Sequence, residues 1–326
     1  MKKGLIIGKF MPVHKGHLAL IEHGLRQCND LIVAVCSVPT EPIPGKLRYH
    51  WMKELMKSHK NVTVKHIKAN LPQDKEPSRR ASLVWSKYML KRFGKIDVIF
   101  SSELYGDYVA EYMQTKHIPF DYKREIVSIS ATQIRTSPFK YWGFLPDIVK
   151  PYFVKKICIY GPESTGKTTL MYDLTKHFHT LAVPEYAREY IAKKHNTFGY
   201  EDMAKVAIGH KRSIRKASKK ASKLLFIDTD AKTTLIYSKH YFKKIPQVVQ
   251  EIADTERFDL YLFTDIDIQW QADPQRDLGH RREEFKQRFM NELIKRNIPH
   301  VMIQGTGKRR LTKAIQAVNS FKRQFE

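Results

Sequence analysis

Residues 161–168 read Gly161-Pro162-Glu163-Ser164-Thr165-Gly166-Lys167-Thr168 and satisfy G-x-x-x-x-G-K-[ST] at every fixed position. The apolar run Ile157 to Tyr160 precedes them, and a helix-compatible stretch from Thr169 to Phe178 follows. In that context an ordinary glycine turn becomes a phosphate loop. Its glycines let backbone N–H groups close on phosphate oxygens, and the helix start adds a favourable dipole. Lys167 brings positive charge to the β- and γ-phosphates of ATP, and the Thr168 hydroxyl suits Mg²⁺. Gly161, Glu163, Ser164, Thr165, Gly166 and Thr169 complete the expected ATP contacts.

Further along, Leu224 to Ile227 are apolar and end in Asp228, with Asp230 two residues on. A buried strand delivering a carboxylate to the metal side of a phosphate site has this pattern. Glu185, in Pro184 to Tyr190, is the candidate base for a hydroxyl being phosphorylated, and Arg188 suits a phosphate. The plainer reading of that stretch is a charged first helical turn. Trp270 to Asp277, followed by Arg281 and Arg282, offers Arg276 and Arg281 to neutralise transferring charge. Trp270 offers a platform for a flat ring, although tryptophan also serves as simple packing.

The first half carries a second anion device. Gly8-Lys9-Phe10-Met11-Pro12-Val13-His14-Lys15-Gly16-His17 follows an apolar run and opens a helix. Two histidines three apart across a glycine face one anion and donate hydrogen bonds to phosphate oxygens without covalent chemistry. A metal pair is the competing reading, and no third ligand cluster lies nearby in sequence. Late in the same half, Ser128 to Arg135 places Ser130, Thr132 and Arg135 at a helix start, again suited to phosphate.

Elements must hold these residues in place. Short apolar runs at Leu5–Gly8, Leu31–Cys36, Val62–Ile67 and Asp97–Ser101 alternate with helical patterns such as His17 to Cys28 and Leu47 to Ser58. A fifth strand is expected near Tyr122 to Ile129. The second half repeats the style, with strands expected at Ile157–Tyr160, Ala182–Pro184, Leu224–Ile227, Leu260–Phe263 and His300–Ile303. The fold class is therefore α/β, with two doubly wound parallel sheets. Prolines and a glycine between Pro138 and Pro151 break regular structure, so the halves divide near 146–154, into 1–150 and 151–326.

A chain of 326 residues, 42% hydrophobic, suffices for two cores. No run of about 18 apolar residues marks a membrane span. The apolar start is cut short by Lys9, so it reads as a strand and not an export signal, which points to the cytoplasm. Three cysteines without a CxxC pair speak against disulfides and zinc. The net charge of +25 suits polyanionic ligands; its densest run, His210 to Lys223, lacks aromatics and reads as a solvated helix face before a nucleic-acid surface.

Gly8-Lys9-Phe10-x-Pro12-x-His14-x-Gly16-His17, with Ile129-Ser130-x-Thr132-x-x-Arg135, resembles the H-x-G-H nucleotidylyltransferases, in particular the nicotinamide mononucleotide (NMN) adenylyltransferases. Arg48-Tyr49-His50-Trp51 and Ser101 to Gly106 look like stretches found there. Joined to the phosphate loop, the chain resembles the bifunctional NMN adenylyltransferase/ribosylnicotinamide kinases over nearly its whole length. The resemblance implies that ATP phosphorylates nicotinamide riboside in the second half, and that NMN attacks the α-phosphorus of ATP in the first, giving NAD and pyrophosphate. His14, His17, Arg135, Lys167 and Glu185 would carry the chemistry. Gly8, Lys9, Phe10, Ser130 and Thr132 would hold ATP in the first half; Arg48, Trp51, Arg188, Asp228 and Trp270 would contact substrate; Thr168 and Asp228 would hold Mg²⁺. Some members carry an N-terminal helix-turn-helix repressor domain; with a first strand near Leu5, no dedicated DNA-binding module is expected here. A homo-oligomer is compatible with the sequence. Two other readings remain: the same chemistry on another vitamin precursor, such as a pantetheine or riboflavin precursor, and a nucleotide-responsive regulator that binds nucleic acid.

Overall fold

A parallel strand covered on both faces must be apolar along its whole length, whereas an edge strand alternates. The chain sorts its strands this way. The computed structural model describes residues 1–72, 78–195, 197–271 and 277–326. Contacts divide the chain into two units, Met1–Val149 and Lys150–Gln324, with Phe325 and Glu326 assigned to the first and second.

In the first unit, β1 (Lys3–Gly8), β2 (Asp30–Cys36) and β4 (Val98–Ser101) are buried nearly throughout. β3 (Val62–Ile67) and β5 (Lys116–Pro119) flank them and are half-covered. The sheet order is β3-β2-β1-β4-β5, all parallel. Between the strands run α1 (Lys15–Leu25), α2 (Gly45–Leu55), α3 (Arg79–Phe93) and α4 (Tyr105–Met113), and α5 (Ala131–Thr136) follows. Right-handed crossovers on both sides of β1 place helices on both faces. One core joins Leu5, Ile32, Ile99 and Met89.

The second unit has the same logic with a different order. Its central strands are β6 (Lys155–Tyr160), β8 (Leu224–Asp228) and β9 (Leu260–Thr264). β7 (Leu181–Val183) and β10 (His300–Ile303) form the edges of a parallel sheet ordered β10-β9-β6-β8-β7. A short α6 (Lys150–Phe153) enters the unit, and α7 (Lys167–His177), α8 (Tyr186–Lys193) and α9 (Tyr200–Ser218) follow. α10 (Ala231–Phe242), α11 (Gln247–Thr255), α12 (Arg282–Lys295) and α13 (Gly307–Lys322) complete it. In each sheet the first strand in sequence is central and its neighbours leave in opposite directions. A crevice therefore opens at its carboxyl end, the usual ligand position in such sheets.

One expected strand is corrected. The first unit's fifth strand is Lys116–Pro119, not Tyr122 to Ile129. Asp121 sits in the left-handed region (φ 51°), and its carboxylate accepts the backbone N–H groups of Glu125, Ile126 and Val127 at 2.7, 3.1 and 2.9 Å. That local capping takes donors a strand would need.

The basic run lies on α9, with Lys211, Arg212, Arg215 and Lys216 exposed as a solvated face requires. Its first residue departs from that face: His210 is 5% exposed and turns inward with Met203, Val206 and Ile214. Beside it, Gly209 lets the Tyr186 ring lie directly on the helix; a Cβ there would stand 2.2 Å from the ring. Gly209→Ala should therefore push α8 away and destabilise the second unit by about 1–3 kcal/mol. Urea denaturation read from the second unit checks this, and an unchanged midpoint would mean that α8 docks elsewhere.

Candidate functional site

In the first unit, β1 ends at Gly8 and α1 begins at Lys15, with His14 as its N-cap. His14 Nδ1 accepts the Gly16 N–H at 3.1 Å, and His17 Nδ1 accepts the His14 N–H at 3.3 Å. A nitrogen that accepts from a backbone N–H carries no proton, so each neutral ring keeps its proton on Nε2. The rings stack with centroids 3.7 Å apart. Gly16 is required for this, because a Cβ would press on the His14 ring at 3.0 Å. Burial, then the Arg124 charge, lowers the His14 pKa to about 4. Burial, His14 and Arg124 hold His17 well below the usual histidine range. The pair is thus two neutral N–H donors at neutral pH, not two cations.

Both rings line a cavity of about 600 Å³, together with Gly8, Lys9, Phe10, Thr132 and Arg135. Arg135 closes the far motif onto the near one: it donates to the Met11 carbonyl at 2.5 Å and to Thr132 Oγ1 at 3.0 Å. Ser130 is the N-cap of α5 in a reciprocal pair with Gln133 and does not line the cavity. Arg124 lines it and donates to the Ile129 carbonyl at 2.7 Å; nothing in its local sequence had marked it.

Arg48 and Trp51, expected at substrate, lie elsewhere. Trp51 is 3% exposed on α2 and does not reach the cavity wall. Arg48 is fully buried. Its guanidinium donates to the carbonyls of Ile43 at 2.9 Å, Cys36 at 3.1 Å and Lys9, and pairs with the Glu41 carboxylate. A guanidinium that spends four of its five N–H groups on three carbonyls and a carboxylate holds loops together.

In the second unit the phosphate loop links β6 to α7. Gly161 (φ +142°) passes so close to β9 that a Cβ would meet the Thr264 carbonyl oxygen at 2.8 Å, and Gly166 (φ +71°) caps α7. Lys167 Nζ donates to the Pro162 carbonyl at 2.6 Å across the loop. Thr168 Oγ1 donates to Asp228 Oδ2 at 2.5 Å. Asp228 is fully buried, and its Oδ1 has no partner among the described residues. Burial, then Glu185, raises the Asp228 pKa to about 6, against the pull of Lys167 and Thr168. A buried carboxylate oxygen beside a hydroxyl is the kind of oxygen donor set a hard divalent cation takes.

A cavity of about 760 Å³ runs from Glu163 and residues 164–169 of the loop past Glu185 and Arg188 to Tyr237 and Tyr241. Trp270 stands outside its wall; the indole packs under Gly279, where a Cβ would meet the ring at 2.7 Å. Arg281, expected at ATP, does not line this cavity; its guanidinium donates to Glu284 at 2.6 and 2.7 Å. The neighbouring Arg282 reaches the Ser164 carbonyl at 3.3 Å instead. Arg276 lies outside the described residues. Glu163 accepts the Leu278 N–H at 2.8 Å, and Ser164 Oγ accepts the Gln271 N–H at 3.0 Å. Arg310 is a residue that local reading missed. It is 3% exposed, lines the cavity, and donates to Gly305 and Asp265 carbonyls at 2.8 and 2.9 Å and to Thr165 of the loop. In sequence it hides in Lys308-Arg309-Arg310, which looks like a solvated helix start.

A cytidylyltransferase-like family model matches residues 5–137, and an AAA domain model matches residues 156–310. The trifunctional NAD biosynthesis/regulator protein NadR of Escherichia coli (strain K12) is 34% identical over 328 residues, covering 92% of this chain and 78% of the relative. The chain belongs to the NadR family. NadR of Salmonella typhimurium (strain LT2) is 32% identical over the same shares of both chains. A crystal structure of NadR protein in complex with NR superposes with a TM-score of 0.82 at 22% identity, covering 98% of this chain and 96% of that one. A NadR complex with NAD and AMP-PNP gives 0.81. These likenesses show a shared fold.

For a NadR-family chain, the placement of Arg48 has a direct test. Arg48→Met should cost about 3 kcal/mol, because Glu41 stays buried and keeps only the Val38 N–H at 3.1 Å and the half-exposed Lys9 Nζ at 3.3 Å to answer it. A lower urea midpoint for the first unit is expected; an unchanged midpoint with a raised KM would return Arg48 to substrate. The histidines predict an acid-labile first unit. Between pH 6.5 and about 4 the unfolded chain binds a proton at His14 that the folded one refuses. Stability should therefore fall as pH drops through that window, by on the order of 3 kcal/mol from His14. Denaturation midpoints measured across the window check this, and His14→Asn should flatten the slope.

Proposed function

We propose that this NadR-family chain makes NAD in two steps, one per unit, using ATP in both. In the second unit ATP phosphorylates nicotinamide riboside to NMN. In the first unit NMN is joined to the adenylyl group of a second ATP, releasing pyrophosphate. The observation that carries this reading is the presence of two unrelated phosphate devices, the H-x-G-H pair and the phosphate loop, each at the carboxyl end of the first strand of its own sheet and each opening on a nucleotide-sized cavity.

In the second unit, Glu185 takes the proton of the ribosyl primary hydroxyl as its oxygen attacks the γ-phosphorus and the bond to the β-phosphate oxygen breaks. Glu185 is half-buried, stands at the start of α8 and lines the cavity opposite the loop. Lys167 and the loop amides bear the developing charge, and Arg188 steadies the acceptor side. Mg²⁺ held by Thr168 and Asp228 would neutralise phosphate charge when bound. Trp270 would need to leave its packing on Gly279 to meet the nicotinamide ring.

In the first unit, a phosphate oxygen of NMN attacks the α-phosphorus and the bond to pyrophosphate breaks. The two Nε2–H donors, with Lys9, Thr132 and Arg135, hold the phosphates and stabilise the charge on the leaving group. No covalent enzyme intermediate is needed, and neutral imidazoles at fixed tautomer serve throughout the physiological range. Among the described residues no helix is long and apolar enough to cross a membrane.

Product analysis after mixing the purified chain with Mg-ATP and nicotinamide riboside tests both steps. NMN and ADP should appear first, then NAD and pyrophosphate. Lys167→Ala should abolish only the first step and His17→Ala only the second. Glu185→Gln should lower phosphoryl transfer by about 10²-fold or more with the KM for ATP unchanged. NMN without NAD would leave the first unit as a binding domain. No turnover of either substrate would redirect the reading to another vitamin precursor.

A further inference from the structure

Asp228 and Asp230 both belong to the site side of the second sheet, and a single residue, Thr229, separates them. Thr229 sits in the left-handed region at φ 67°, a costly conformation for a β-branched residue that must be held from outside. Two hydrogen bonds hold it: its N–H donates to the Ile159 carbonyl at 3.0 Å, and its carbonyl accepts from His210 Nε2 at 3.2 Å. A carbonyl only accepts, so the proton of the His210 ring is on Nε2. The other ring nitrogen, Nδ1, is then an acceptor.

That acceptor is the unusual feature. His210 is 5% exposed and lines the 760 Å³ cavity along with Thr229, Asp230 and Glu185. Its Nδ1 is buried and has no hydrogen-bond partner among the described residues. Leaving such a group unanswered costs free energy, which a ligand that supplies the missing donor recovers. Burial keeps the ring below the usual histidine range although Thr229, Asp230 and Asp228 favour its charged form, so Nδ1 stays an acceptor at neutral pH.

We propose that His210 is a substrate-binding residue of the second unit: Nδ1 accepts a hydrogen bond from a secondary hydroxyl of the acceptor's ribose, while Nε2–H fixes Thr229 between the two aspartates. The inference rests on the nucleoside-phosphorylating reading given above. The sugar's primary hydroxyl must reach the loop beside Lys167 and Asp228, and the ring carbons bearing secondary hydroxyls follow within a few ångströms. An unanswered buried acceptor one residue contact away from that carboxylate selects a sugar hydroxyl, a donor, over a phosphate oxygen or an apolar ring.

The test is steady-state phosphorylation of nicotinamide riboside and of its 2′-deoxy and 3′-deoxy analogues by the full chain, by His210→Gln and by His210→Asn. The KM for ATP serves as the check that the second unit is folded. The glutamine amide keeps a donor near the Nε2 position and loses the Nδ1 acceptor; asparagine does the reverse. In the unaltered chain, one deoxy analogue should show a KM about tenfold above that of the riboside. His210→Gln should raise the KM for the riboside by about the same factor and cost nothing further on that analogue. His210→Asn should keep the discrimination between sugars while kcat falls, as Thr229 is released. Equal losses on riboside and deoxy substrates in His210→Gln, or no KM difference between the sugars in the unaltered chain, would overturn the proposal. Absence of turnover with the riboside in the unaltered chain would instead strike the nucleoside reading, and this assignment with it.

Discussion

Each unit depends on one buried guanidinium that gathers backbone carbonyls where strands end. Arg48 does this in the first unit, tying the loop after β1 to the end of β2 and to the start of α2. Arg310 does it in the second, tying the phosphate loop to the ends of β9 and β10. Each is balanced by one carboxylate, Glu41 and Asp267. The carboxyl ends of parallel strands leave a crowd of carbonyl oxygens beside the N–H groups that must face an anion. A planar fork of donors collects those oxygens at fixed angles, so the amides can stay turned toward the ligand. Lysine, a single point of charge, could not span three carbonyls from different loops.

The two sites solve anion binding with opposite electrostatics. The first uses neutral imidazoles whose tautomer is set by backbone N–H groups, so its donors are dipoles in place before any ligand arrives. The second sets a lysine and a helix start against two carboxylates, Asp228 and Glu185, close enough for Glu185 to raise the proton affinity of Asp228. That arrangement sets negative charge beside the positive charge of the phosphate loop.

How much of this the sequence discloses depends on how local each function is. The phosphate loop and H-x-G-H were legible because every residue in them acts through its own backbone segment, and spacing alone fixes which groups converge. Nine of the strands were legible from short runs that are continuous where the strand is central and interrupted by polar residues in the flanking β3. β5 was not, since Lys116-His117-Ile118-Pro119 is a polar edge whose strand character comes only from pairing with β4. The apolar stretch after it drew the assignment away, although Asp121 had already claimed its amides. Arg124, Arg310 and His210 were illegible for a related reason. Their side chains act on carbonyls or cavities far along the chain, while their own neighbours are basic and look solvated. Arg48, Trp51 and Arg281 differ in the other direction: residue types suited to ligands that lie off the cavity walls, engaged in packing and internal pairing.

The contrast between neutral imidazoles and a half-titrated aspartate gives the chain an unequal response to acidity. Without a cation Asp228 holds its proton up to about 6, so a cation that takes its oxygen must displace that proton, while His14 stays uncharged down to about 4. Cation uptake at Asp228 is therefore linked to proton release and weakens as pH falls, whereas two neutral imidazoles can meet an anion without taking up a proton. The difference is set by what surrounds two side chains in separate sheets.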